Sequence, residues 1–337
     1  MSRHDRGVMK RREFLAGTAA LAALAAGGAV RPLTAVAEET WPQRAVSVVV
    51  PFAAGGSADL IGRLAAQHLQ QKFGVPFVVE NRGGAGGAIG AGVVAKAAGD
   101  GYTLLIGTVS THAINPSLYA KLPFDVERDF VPITCLVSLP NLLTVNNDVP
   151  AKTVPELVAW LKANDGKINF GSSGNGTSSH LASVMFQLAT GTHMTHVPFR
   201  STADEMTSMI GGNIQVAIDS MTTIWPLAKA GQVRPIAVST PHRAAAAPDL
   251  PTIGESIKGY EATGWQGLYA PAGTPRLIVD KLADAAGQIL ADPQVVAALA
   301  NVGGEPATMT PDAFAEFAGR ERVKWAEVVK AAGVKIE

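Results

Sequence analysis

The sequence predicts an α/β fold. Short β-branched runs alternate with Ala-rich stretches of helical periodicity, and Gly- or Pro-marked turns separate them. In chain order, residues 46–51 form a compact apolar strand that ends ahead of Gly55-Gly56. Over 58–73, apolar residues recur at helical spacing (Leu60, Ile61, Leu64, Ala65, Leu69), and Gly74 supplies the stop. Residues 77–80 and 103–106 are the next strands, and 130–137 and 142–145 are extended on either side of Pro140. A helix opens at Thr153-Val154-Pro155-Glu156, with threonine at the cap and Pro-Glu in the first turn. The runs 168–170, 195–197, 215–218 and 234–238 read as a second parallel sheet, with helices starting near Ser178, Ala203 and Trp225. A Pro-rich link (Pro241, Pro248, Pro251) leads to a strand over 265–269, and helices over 275–290, 293–301 and 311–330 close the chain. Two α/β lobes joined by two long segments imply a cleft, and ligands of such folds sit at domain interfaces and at the carboxyl ends of parallel strands.

The chain has 337 residues, 47% hydrophobic and 17% charged, a composition that excludes a disordered chain. Its 28 basic and 28 acidic residues balance only on average. Six basic (Arg3, Arg6, Lys10, Arg11, Arg12, Arg31) and two acidic residues (Asp5, Glu13) fall within the first 37, leaving 22 and 26 and a net charge of −4 for the remainder. A mildly acidic body lacks the basic excess by which nucleic-acid binders displace counterions, so no nucleic-acid partner is expected. One cysteine, Cys135, permits no internal disulfide and reads as a buried small hydrophobe. At the N-terminus, Met9-Lys10-Arg11-Arg12-Glu13-Phe14-Leu15 precedes a weakly apolar stretch over 16–30 and the small-residue site Ala35-Val36-Ala37. These are the parts of a secretory signal; the apolar stretch is too short to span a bilayer, and the paired arginines resemble the twin-arginine signal of bacteria. Residues 1–37 are therefore expected to be a signal peptide cleaved after Ala37, giving an exported mature chain in the periplasm.

Three loops stand between a strand and a helix, where free backbone N–H groups and a helix N-terminus favour an anion. The first is Pro51-Phe52-Ala53-Ala54-Gly55-Gly56-Ser57-Ala58-Asp59, equally readable as an ordinary tight turn; Asp59 would repel an anion and is expected to cap or orient the loop. The second, Asn81 through Gly90, contains G-x-G-x-x-x-G at Gly84, Gly86 and Gly90. It lacks the dinucleotide spacing, and Gly107-Thr108 stands where the acidic partner would be, so a nicotinamide site is weakly supported and an anion cradle remains. The third, Gly171 through His180, offers Ser172, Ser173, Gly176 and Thr177 as hydroxyl and amide donors. Neither serine sits in a G-x-S-x-G frame, and His180 reads as a packed or capped histidine. His193 and His196 would face opposite sides of a strand, and no H-E-x-x-H occurs, so neither a metal nor a cofactor is expected. Asp219, at a strand end, faces the expected cleft, where it could accept from a ligand hydroxyl or amine or be a solvated or capping residue. Trp160, Trp225, Trp265 and Trp325 read as core.

Several segments together resemble one family: Val50-Pro51-Phe52 with Gly55-Gly56 and Asp59; Val79-Glu80-Asn81-Arg82 with Gly84-Ala85-Gly86-Gly87; Asp100-Gly101-Tyr102; Ile114-Asn115-Pro116; Gly171-Ser172-Ser173-Gly174; His196-Val197-Pro198-Phe199; Leu250-Pro251-Thr252; Trp265-Gln266-Gly267-Leu268; and Ala270-Pro271-Ala272-Gly273. The match, to the periplasmic substrate-binding proteins of tripartite tricarboxylate transporters (the Bordetella uptake gene product family), runs in order along the mature chain. The resemblance implies a type II periplasmic-binding-protein fold with a ligand cleft and a two-segment hinge. It places one lobe at 38–140 plus 256–337 and the other at 141–255. The implied function is capture of a small organic carboxylate for membrane permease subunits by a monomer that performs no chemistry. Carried over by motif, the ligand positions are Ala54, Gly55, Gly56, Ser57, Gly86 and Gly87 from one lobe and Ser172, Ser173, Gly176, Thr177 and Asp219 from the other, with Ser110 as a lining residue. Two departures fall near the cleft: Ala54 where the family usually has proline, and Arg200-Ser201 where it usually has Lys-Gly. Arg200 could pair bidentately with a second carboxylate, as lysine could not. The alternative from another class is an exported cofactor-dependent enzyme, an oxidoreductase or hydrolase.

Overall fold

The computed structural model of the protein describes residues 41–333 and 335, so the signal expected over 1–37, with its cleavage after Ala37, lies outside the described residues. The first half comprises β1 (Val46–Val50), α1 (Ser57–Phe73), β2 (Phe77–Asn81), a 3-10 turn (Ala85–Gly87), α2 (Ala88–Ala95), β3 (Thr103–Thr108), a π-helical turn (Ser110–Ile114), α3 (Asn115–Leu118) and β4 (Phe130–Leu139). Pro140 alone separates β4 from β5 (Asn141–Val145), which opens the second half. There follow α4 (Val154–Ala163), β6 (Asn169–Ser172), α5 (Ser178–Thr190), β7 (Thr195–Pro198), α6 (Thr202–Ile210), β8 (Val216–Ser220), α7 (Met221–Lys229), β9 (Arg234–Val238) and α8 (Ile253–Ser256). The chain then returns as β10 (Gly264–Pro271), α9 (Arg276–Leu290), α10 (Pro293–Asn301), β11 (Glu305–Pro306) and α11 (Pro311–Ala332).

The strands form a six-stranded sheet in the order β11-β4-β10-β3-β1-β2 and a five-stranded sheet in the order β7-β6-β8-β5-β9. The four strands expected to form a parallel second sheet do share one direction: β6 pairs in parallel with β7 and β8, and β5, inserted between β8 and β9, runs antiparallel to both. In the first sheet β10 is likewise antiparallel to β3 and β4. The reason is connectivity. β5 continues out of β4 through a single proline, so its direction is handed on from the other sheet rather than set by a crossover within its own. The two crossings are tied to each other: the Asn141 N–H donates to Ser239 Oγ at 3.0 Å, and Asn141 Nδ2 and Ser239 Oγ both donate to the Ala262 carbonyl, at 2.6 and 2.7 Å.

Local chemistry explains most helix ends. α1 stops at Gly74, whose φ of 72° takes the left-handed turn that its stop requires. Thr153, Asp292 and Thr310 each cap a helix whose first turn carries proline. One expected start is corrected: α7 begins at Met221, directly after β8, and carries Pro226 in its interior rather than starting near Trp225. Trp265 and Trp325 are buried in the core as expected, and both indole N–H groups donate to Glu321 Oε2 at 3.1 Å. Trp160 and Trp225 pack only partly buried against the core. Cys135 is buried in β4, and burial pushes its thiol up to about 12.

Candidate functional site

The loop after β1 is held from beneath by Asp59 in the first turn of α1. Its carboxylate accepts from the Gly55 N–H, from Arg63 Nε and from Asn81 Nδ2, each at 3.0 Å. Burial alone would raise the Asp59 carboxyl, but the bonds from Arg63, Gly55 and Asn81 outweigh it and hold the group below its usual value. Asn81 also donates to the Phe52 carbonyl at 3.0 Å, so β2 fixes the same loop. Asp59 is thus the loop-orienting residue rather than a ligand. No side chain caps α1 at Gly56, which leaves its first amides open to an anion.

Two adjoining spaces lie between the halves. The inner cleft, about 50 Å³, is lined by Gly56, Ser57, Ser110, Ser173 and Asp219 among the expected residues. The outer opening is lined by Gly86, Gly87, Arg200 and again Ser173. Ala54, Gly55, Ser172, Gly176 and Thr177 line neither space. The halves touch across the gap: the Ser178 N–H donates to Ser110 Oγ at 3.1 Å, and a side chain on Gly56 would come within 3.6 Å of Ser201 Cβ. Gly86 and Gly87, with φ of 59° and 89°, are required for close approach. A Cβ on Gly87 would lie 2.6 Å from Thr111 Cγ2, and the Gly86 carbonyl accepts from Asn115 Nδ2 at 3.1 Å.

All four expected donors of the third loop have partners within the protein, Ser173 through Ser179 Oγ, 3.1 Å from its N–H and 3.0 Å from its hydroxyl. Ser172 Oγ is 2.6 Å from His196 Nε2, the Gly176 N–H donates to His180 Nδ1 at 3.2 Å, and Thr177 Oγ1 caps α5 and donates to the Gly174 carbonyl at 2.7 Å. Arg200 stands on the outer opening with its side chain 89% exposed and its Nε 3.7 Å from Asp204 Oδ2, which does not offer a bidentate clamp inside the inner cleft. Ser178, Ser201, Thr202, Asn141 and Gln266 line the inner cleft and were not among the expected residues. Ser201 carried a signal, since a serine before Thr202-Ala203-Asp204 caps a helix, and it accepts from the Asp204 N–H at 3.2 Å.

Buried ionisable groups surround the site. Glu205, in the first turn of α6, is fully buried, and burial together with the neighbouring Asp219 charge keeps its carboxyl protonated well above the usual range. His180 and His196 stack with ring centroids 4.1 Å apart, and burial lowers both to about 4. His112, stacked on Tyr269, is lowered by burial to about 3. An unfolded chain takes up the histidine protons near pH 6.5 and the folded chain only near 4, so stability falls as pH drops through that window. His180 alone contributes up to about 3 kcal/mol. Glu205 acts in the opposite sense: its folded-state proton stabilises below about pH 4.5 and that contribution is lost as pH rises. Three histidines outweigh one glutamate, so urea midpoints should fall from pH 7 to pH 4.5, more steeply in Glu205→Gln, which lacks the opposing contribution. A flat profile in the wild type would contradict this account.

Among the described residues no group of three or more His, Cys, Asp or Glu side chains is placed to hold a metal ion, and no helix is long and apolar enough to cross a membrane. The family described as tripartite tricarboxylate transporter family receptor matches residues 61–334. An R. palustris protein solved with adipate superposes with a TM-score of 0.86 at 35% identity, over 88% of this chain and 99% of that one. Periplasmic binding protein BugD gives 0.84 at 36%, over 88% and 100%. MatC from Rhodopseudomonas palustris with bound malate gives 0.82 at 31%, over 86% and 100%.

Proposed function

The chain belongs to the tripartite tricarboxylate transporter family of receptors, and on that premise we propose that it captures a small organic carboxylate in the periplasm and hands it to membrane permease subunits. One observation carries the reading: the inner cleft gathers the starts of α1, α5 and α6 and the hydroxyls of Ser57, Ser110, Ser173 and Ser201 around one small space. Oriented amides and hydroxyls suit a carboxylate, and capture needs no general base. The relatives solved with adipate and malate support the same ligand class. Membership of a receptor family also removes the enzyme alternative.

In this reading the lobes 38–140 plus 256–337 and 141–255 close on the ligand as a monomer, after export by the twin-arginine route and cleavage behind Ala37. The backbone at Gly56 and the hydroxyls of Ser57 and Ser110 hold the carboxylate. Ala54, Gly55, Gly86 and Gly87 shape the approach, Ser172, Gly176 and Thr177 brace the third loop, and Arg200 draws anions to the opening. The test is a thermal-shift screen of the mature chain against mono-, di- and tricarboxylates and aromatic acids. At a hundredfold excess over Kd a true ligand adds about 2.7 kcal/mol, read as a rise of several degrees. No response to any carboxylate would overturn the reading.

A further inference from the structure

The lining of the inner cleft divides into two chemistries. Serine hydroxyls and helix-start amides donate, whereas Asp219 is the one charged side chain among the described residues that line it. Asp219 is 4% exposed; its Oδ1 accepts the Ser220 N–H at 2.6 Å, and its buried Oδ2 meets no donor. Gln266 Oε1 is likewise buried without a donor, while Gln266 Nε2 donates to Ser57 Oγ at 3.1 Å. Arg200, on the adjoining opening, is turned toward Asp204.

Glu205 sits beside Asp219. Its Cγ and Oε1 occupy the place where a Cβ on Gly171 would be, each 2.7 Å from that position, so the glycine in β6 makes the room for this side chain. Neither carboxyl oxygen meets a donor from the protein. Of the elements packed on α6, β6 brings no charged group, β8 only Asp219, and α7 only Lys229 at its exposed last residue. Burial and the neighbouring Asp219 carboxyl push the Glu205 carboxyl well above its ordinary range, so it is neutral. Apart from the exposed Lys229, α6 and the elements packed on it bring no cation to these two carboxyls.

Resting on the reading of the cleft as a carboxylate site, we propose that its ligand is zwitterionic, a carboxylate that also carries an ammonium group donating to Asp219 Oδ2 and Gln266 Oε1. Glu205, buried beside Asp219, is a positioning residue that keeps the Asp219 carboxyl in place against the ligand. An ammonium answers the buried charge and both open acceptors. A second carboxylate in the same place meets a like charge in a poorly solvated site, and a hydroxyl leaves the charge unanswered.

Calorimetric titration of the mature chain near neutral pH tests this with matched skeletons: succinate, malate and aspartate; glutarate, 2-hydroxyglutarate and glutamate; and 4-aminobutyrate. An ammonium member should bind about tenfold or more tighter than the plain dicarboxylate and the hydroxy acid of its length. Asp219→Asn should bring that preference down to about twofold or less. Glu205→Gln, a neutral polar side chain of the same length, should keep it, and Glu205→Met should weaken it, a change of ratio that a purely structural role would not produce. A dicarboxylate or hydroxy acid that binds as tightly as the ammonium members overturns the inference, as does a full preference in Asp219→Asn. If the variants do not fold, the wild-type ratios decide. Binding of no carboxylate at all removes the carboxylate reading itself and this inference with it, a result distinct from tight binding of a plain dicarboxylate.

Discussion

Trp265→Ala is expected to remove about 3–5 kcal/mol of folding stability. The indole is 2% exposed and meets Phe314 and Phe317 edge-on, each with ring centroids 5.6 Å away. Alanine leaves a cavity near the start of β10 and deprives Glu321 Oε2 of one of its two indole donors. Trp265→Phe restores most of the packing but not the hydrogen bond, and should lose about 1–2 kcal/mol. Because Trp265 also lines the inner cleft beside Gln266, the alanine variant should bind ligand more weakly even where it remains folded. Urea denaturation followed by tryptophan fluorescence measures the first effect. A midpoint within experimental error of the wild type would refute the central place given to this side chain.

Asp59→Ala should lower stability by about 2–4 kcal/mol, because three donors lose a charged acceptor and the Gly55 N–H and the Asn81 amide are left short of partners. The effect has a pH signature. Asp59 titrates below its ordinary value in the folded chain, so its contribution is present above about pH 4 and disappears as pH falls through the folded-state value. Wild type and variant should therefore converge in acid. The same change frees the loop that presents Gly56 and Ser57, and ligand affinity should fall about tenfold or more. A variant with wild-type stability at neutral pH and wild-type affinity would show that the loop keeps its shape without this carboxylate.

Much of the strand and helix order was legible because it depends on local chemistry: valine runs for β1, proline after a capping residue for α10 and α11, glycine at the end of α1. The common direction of β6, β7, β8 and β9 was legible as well, but the antiparallel β5 between β8 and β9 was not, since its direction depends on the route between sheets rather than on residues within the strand. Pro226 misled for a related reason. Proline favours a first turn, but here the end of β8 at Ser220 had already started the helix. At the site, the sequence displayed the possible donors and concealed their partners. Ser172 and Thr177 look alike on paper to Ser173, and only folding brings His196 to one and the start of α5 to the other. Nothing in the local sequence marks Glu205 as buried; the room for it comes from Gly171, more than thirty residues earlier, where a Cβ would lie 2.7 Å from its Cγ and Oε1.

Cys135 gives the protein a built-in clock. It is the sole sulfhydryl in the sequence; it lies 1% exposed in β4, with its Sγ 3.6 Å from the Gln266 carbonyl of β10 and a thiol that is not ionised at neutral pH. An alkylating reagent reaches so buried a thiol when the structure around β4 opens, so the rate of labelling reports those openings. The β4–β10 seam joins both strands that cross between the sheets, and the residue behind the sulfur, Gln266, lines the cleft. The same chemistry that makes this thiol inert makes it a tracer-free readout of how firmly an occupied cleft locks the molecule.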